Sequence, residues 1–144
     1  MQYIPGDYRP GCIVNVPVKT SVGVVGHKGV LSDRVGPDGL PMVIHAAKLF
    51  DAIVESTMQD FMLMAKGPLT SEGFPSTLPP VLVVARARAL IGKPWKWMPW
   101  DNCEHFVHEA HGLPPKSPQV RRAGKSALGA AGVGAFVWFA FANA

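Results

Sequence analysis

Glycine and proline do most to limit what this chain can become, because they cut its first eighty residues into apolar segments too short for long helices. Gly11 to Pro17, GCIVNVP, is β-branched and closed by a glycine and a proline, which predicts a strand. His27 to Ser32 and Met42 to His45 are two more strand candidates. Between them Pro37, Asp38 and Gly39 form a turn signature. Lys19 to Gly26, with Gly23 and Gly26, reads as a loop or bulge between the first two strands. The expected arrangement is an antiparallel meander.

Further along, Asp51 to Ala65 contains neither glycine nor proline. Its apolar residues, among them Ile53, Val54, Met58, Phe61 and Met62, fit a helix or a bent strand equally. Gly67 to Pro80 holds four prolines and two glycines and reads as a loop. Val81 to Ile91 follows Pro-Pro and stops at Gly92, the punctuation of a helix. On it Arg86 and Arg88, two residues apart, fall on different sides. Gly92 to Asp101 carries Trp95, Trp97 and Trp100 with Pro94 and Pro99, an aromatic connector too rich in proline for a helix. A second helix is expected from Asn102 or Cys103 to Gly112, capped by Asp101 or Asn102.

The 144 residues suit one domain with a single core, and 48% apolar against 17% charged content argues against disorder. The net charge of +4 is all at one end. Residues 1–111 carry ten basic and ten acidic side chains, whereas beyond them Lys116, Arg121, Arg122 and Lys125 meet no acid. A basic end without a basic, aromatic face is poor support for nucleic-acid binding, and none is expected. Ser126 to Ala144 is nineteen uncharged residues, close to the ~20 that cross a bilayer. With its basic collar it reads as a C-terminal membrane anchor on a domain facing the cytoplasm, giving a domain of residues 1–125 and an anchor of 126–144. The proline-broken N-terminus does not read as a signal peptide.

Two cysteines are too few for a disulfide framework, and no zinc-ligand spacing is present. Cys12, inside a strand, reads as a buried small hydrophobe. Cys103 is different. In Asn102-Cys103-Glu104-His105-Phe106-Val107 the thiol lies in the first turn of a helix, where unpaired N–H groups and the helix dipole favour the thiolate. Phe106 and Val107 share its face and would anchor the turn in the core. A nucleophilic thiol needs a base, and His27 and His45 stand on neighbouring predicted strands. His105, His108 and His111 recur every three residues without the H-E-x-x-H spacing of a metal pair, and a packing or solvated role is expected of them.

Asn102 to Val107 resembles the NCEHF signature of the lecithin retinol acyltransferase-like family, which includes the HRAS-like suppressor phospholipases and belongs to the circularly permuted branch of the NlpC/P60 superfamily. Pro5-Gly6-Asp7 is similar to that family's opening box, His27-Lys28-Gly29-Val30 to the strand with its first histidine, Val43-Ile44-His45 to the strand with its second, and Ser117-Pro118-Gln119-Val120 to its S-x-Q-V. The resemblance spans residues 5–122. It implies an α+β fold, a small antiparallel sheet packed on a cysteine-bearing helix, with the C-terminal apolar helix beyond. It implies that Cys103 attacks an ester or amide carbonyl, that His27 is general base and then acid, and that His45 orients and polarises His27. The acyl-thioester would pass to water or to an acceptor, with a lipid or other acyl substrate and no metal or organic cofactor. Val25 and Lys28 depart from the phospholipase branch, which has a tyrosine and an aromatic there, and the segment between the histidines is longer around Val35 to Leu40. An amidase or peptidase and a non-enzymatic interaction module are the alternatives.

Overall fold

The computed structural model describes residues 8–48, 50–95 and 102–114. Five strands form one antiparallel sheet: β1 (Ile13–Thr20), β2 (Gly23–Val35), β3 (Pro41–Ala47), β4 (Ala52–Ser56) and β5 (Thr70–Gly73), in the spatial order β4-β3-β2-β1-β5. Three helices accompany them: α1 (Met58–Phe61), α2 (Pro80–Ala89) and α3 (Asn102–Ala110). The class is α+β, as expected.

Both faces of the sheet are covered, which explains why its strands read as nearly continuous β-branched runs rather than as alternating apolar and polar residues. Side chains still alternate in direction, so neighbours part company. Ile13, Val30 and Ile44 join α2 and α3 in one cluster, where Phe106, Val107 and Ala110 are fully buried. Val14, Leu31 and Val43 join Met58 and Phe61 of α1 in a second cluster. Cys12 is buried there too, as its place beside β1 predicts.

Three expectations need correction or completion. The supposed loop over Lys19 to Gly26 shrinks to Ser21 and Val22, because Gly23, at φ +112°, lets the chain turn back at once and pair with Thr20. The Thr20 hydroxyl closes this hairpin by donating to the Gly23 carbonyl at 2.8 Å. The loop over Gly67 to Pro80 contains β5, a short edge strand whose polar sequence TSEG hides it; it pairs with β1 through the backbone. The segment Asp51 to Ala65 is both things it could have been, β4 followed by the one-turn α1, which Thr57 caps by accepting from the Asp60 N–H.

The two helices behave as their punctuation implies. α2 starts within its Pro-Pro pair, and Gly92 follows it at φ +82°. Arg86 and Arg88 do serve different sides: Arg86 donates to the carbonyls of Ala110 and Glu109 at the end of α3, and Arg88 reaches across to Ser32, Asp33 and Glu55 of the sheet. Trp95 is buried edge-on against Phe106. Trp97, Trp100, the opening Pro5-Gly6-Asp7 box and everything beyond residue 114, including the apolar run 126–144, lie outside the described residues. Among the described residues, no helix is long and apolar enough to cross a membrane.

Candidate active site

Alternation along β2 and β3 puts His27 on the face of Leu31, and His45 on the face of Val43. The strand register sets Gly29 opposite His45, so the two imidazoles meet diagonally across one strand pair. Their ring centroids are 5.1 Å apart and nearly perpendicular, and His27 Nε2 lies 3.0 Å from His45 Nδ1. The other nitrogen of His27, Nδ1, lies 3.1 Å from Cys103 Sγ. Cys103 comes from the first turn of α3, whose inner face belongs to the opposite cluster. The site therefore joins the two halves of the core, and the three residues singled out in the sequence are in one hydrogen-bonded line.

Two members of this site escape a search for catalytic residue types. Ser56, the last residue of β4, places Oγ 2.9 Å from His45 Nε2 and extends the line to four groups. Phe61 of α1 stacks on His27 at 5.1 Å and 27° and meets His45 edge-on at 5.0 Å. Gly29 makes room for it. A Cβ there would collide with Val43 and come within 3.2 Å of the Phe61 ring. The signals were in the sequence, Ser56 two residues on from Val54 in a possible strand and a glycine inside a β-branched one, but neither is distinctive alone.

Burial of the two rings sets the electrostatics of the site. Burial under Phe61 and the sheet pushes His27 down to about 4, and burial with the added repulsion of His27 pushes His45 down to about 3. Both rings are thus neutral at pH 7 while the thiol holds its proton. A thiolate at 3.1 Å acts in the opposite direction and favours the imidazolium.

Beside the histidines lies a cleft of about 760 Å³. Its walls are largely apolar, with Val18, Ala47, Phe50, Phe61, Leu63 and Met64, and Lys19, Lys48 and Asp60 also line it. His27, His45 and Ser56 line it too, whereas Cys103 is not among its lining residues. Cys103, 6% exposed, is held at the ring nitrogen of His27 opposite the one that faces His45.

The remaining candidates have other work. His111 is buried, with Nε2 2.8 Å from the Gly11 carbonyl and Nδ1 2.7 Å from Ser76 Oγ, a tie between α3, the start of β1 and the loop before α2. His105 is buried as well, and His108 Nδ1 lies 3.0 Å from the Pro114 carbonyl. Arg9 lies over the Phe74 ring. Lys28, where the resembled phospholipases have an aromatic, pairs with Glu72 of β5 at 3.1 Å, and Val25 packs on the second cluster.

Comparison of the chain with protein-family models, with curated proteins and with solved structures finds no match.

Proposed function

We propose that the protein is a thiol acyl-enzyme, acting on a phospholipid or a related acyl ester as hydrolase or acyltransferase. The observation that carries this reading is the continuous line from Cys103 Sγ through His27 to His45, with gaps of 3.1 and 3.0 Å. These are the parts that thiol acyl chemistry needs: a nucleophile, a base touching it, and a group holding the base.

In the reaction, His27 Nδ1 takes the thiol proton and Sγ adds to the acyl carbonyl. His27 then returns that proton to the departing alcohol as the carbonyl reforms, leaving an acyl-thioester on Cys103. Water or an acceptor alcohol or amine next gives its proton to His27 and attacks the thioester. The proton returns to sulfur as the acyl product leaves. His45 accepts from the far nitrogen of His27 and steadies the imidazolium.

The largely apolar cleft at the histidines supports an acyl chain rather than a polar peptide as the group held there, and Lys19 and Lys48 suit an anionic head group. The fold is proposed to be the circularly permuted NlpC/P60 arrangement, with residues 1–125 as the catalytic domain. The apolar run 126–144, behind its basic collar, is proposed as a C-terminal helix that anchors the domain at a membrane, facing the cytoplasm.

Turnover of a fluorescent phospholipid in mixed micelles tests the assignment, beside a dipeptide amide of similar size. Release of labelled acid or transfer of the label, lost in Cys103→Ala, is the expected result. Cleavage of the amide alone would move the protein to the amidases, and no turnover of either would overturn the reading.

A further inference from the structure

The second histidine is a neutral ring with one proton, and where that proton sits decides whether the first can act as a base. If His45 carries it on Nε2, then Nδ1 is an acceptor and His27 can donate to it from its own Nε2. That leaves His27 Nδ1 bare toward Cys103 Sγ, free to take the thiol proton. If His45 carries it on Nδ1 instead, it donates to His27 Nε2, the proton of His27 moves to Nδ1, and the base is blocked. Ser56 Oγ, 2.9 Å from His45 Nε2, touches the atom that distinguishes the two states. A hydroxyl that accepts from His45 Nε2, with its own hydrogen turned to the cleft that Ser56 helps to line, holds the first state, and one that donates to Nε2 holds the second.

We propose that Ser56 is a positioning residue, which selects the His45 tautomer that keeps His27 basic toward Cys103. This rests on the thiol acyl-enzyme reading and deepens it. The carboxylate that orients the histidine in other triads is replaced here by a neutral pair, His45 and Ser56, and a neutral pair needs its proton directed. The charged groups around it are few: Asp60 from α1, Lys19 from β1 and Lys48 after β3 line the same cleft, and none is hydrogen-bonded to either ring.

The test reads the thiolate itself. Iodoacetamide alkylation of Cys103 is followed by peptide mass between about pH 5 and 9 in the full chain, for wild type, His27→Ala, Ser56→Ala and the same-shape pair Ser56→Thr and Ser56→Val. Wild type should alkylate faster than His27→Ala near pH 7. Ser56→Ala should lose about tenfold of that advantage, the worth of one hydrogen bond, and rejoin wild type above the ordinary thiol pKa of about 8.5, where no base is needed. Ser56→Thr should keep the advantage and Ser56→Val lose it, which separates the hydroxyl from packing even if the alanine variant does not fold. Equal profiles for Thr and Val, both above His27→Ala, would overturn the role of Ser56 alone. Equal profiles for wild type and His27→Ala would overturn the underlying reading, and this proposal with it.

Discussion

Glu55 and Ser56 are neighbours on β4 that face opposite sides of the sheet, and the two polar networks they enter could hardly differ more. Glu55, 8% exposed at its side chain, meets Arg88 at 3.2 Å and also Ser32 and Arg34. Burial pushes its carboxyl up, but the hydrogen bonds from Arg88 and Ser32 and the charges of Arg88 and Arg34 outweigh that, and the net is below the ordinary carboxylate range. Arg88 is raised in turn, first by its hydrogen bond to Glu55. One residue on, Ser56 enters a network of neutral rings whose basicity burial lowers. Charge against charge locks α2 to the sheet. A chain of neutral groups, each able to give or take a proton, is instead suited to moving one.

The sharpest way to break this contrast is to remove one element from each side. His27→Ala should lower turnover per folded molecule by roughly 10²–10⁴-fold, the contribution of a positioned base, beyond whatever stability the gap beside Phe61 and His45 costs; phospholipid turnover and urea melts separate the two. Arg88→Ala should instead cost roughly 1–3 kcal/mol, because Glu55 then keeps only Ser32 and the exposed Arg34, with activity of the remaining folded protein retained. If Arg88→Ala cut turnover as deeply as His27→Ala, the division between the faces would be wrong.

A smaller effect is expected from Gly29→Ala, which sets a methyl against Val43 and Phe61 and forces the ring off His27. Overpacking of this kind costs about 1–3 kcal/mol. Thermal unfolding should show it, with turnover falling beyond the loss of folded protein because the histidine loses its cover.

The mildest test is the pH dependence of stability, in which the faces occupy different windows. His27 and His45 have folded values below the ordinary histidine value of about 6.5, so below that pH the unfolded chain binds more protons. Stability from this side is complete above about pH 6.5 and is lost as pH falls through about 4 for His27 and about 3 for His45. Glu55 is also lowered in the folded state, so its contribution is present above about pH 4.3 and is lost only at more acid pH. Urea melts across this range should show His45→Asn flattening the slope between about pH 6.5 and 3, and Glu55→Gln flattening only its acid end, below about pH 4.3. A single slope untouched by His45→Asn would contradict buried neutral rings.

Much of this site could be read from the sequence because its strongest members carry chemistry in their names. A cysteine opening a helix and two histidines on β-branched segments need only strand pairing to come together. The turn at Pro37 to Gly39 and the proline and glycine around α2 were legible for a similar reason, since those residues restrict the backbone wherever they stand. What stayed hidden depended on partners far along the chain. β5 is a strand only because β1 offers it an edge, and TSEG has no apolar periodicity to announce it. Ser56 becomes significant only beside His45, eleven residues earlier, and Phe61 matters because Gly29 leaves space for its ring. The Glu55 and Arg88 cluster is half legible: the spacing of the two arginines puts them on different sides of α2 but does not point to their acids.

The central claim is that Cys103 becomes a nucleophile through His27, and covalent capture tests it most directly. Full-length protein incubated with an activated acyl ester such as p-nitrophenyl decanoate should gain one acyl group, mapped by peptide mass to Cys103 and not to Cys12, and slowed by roughly 10²-fold or more in His27→Ala. Wild-type protein that gains no acyl group, or gains one just as fast without His27, would contradict the account.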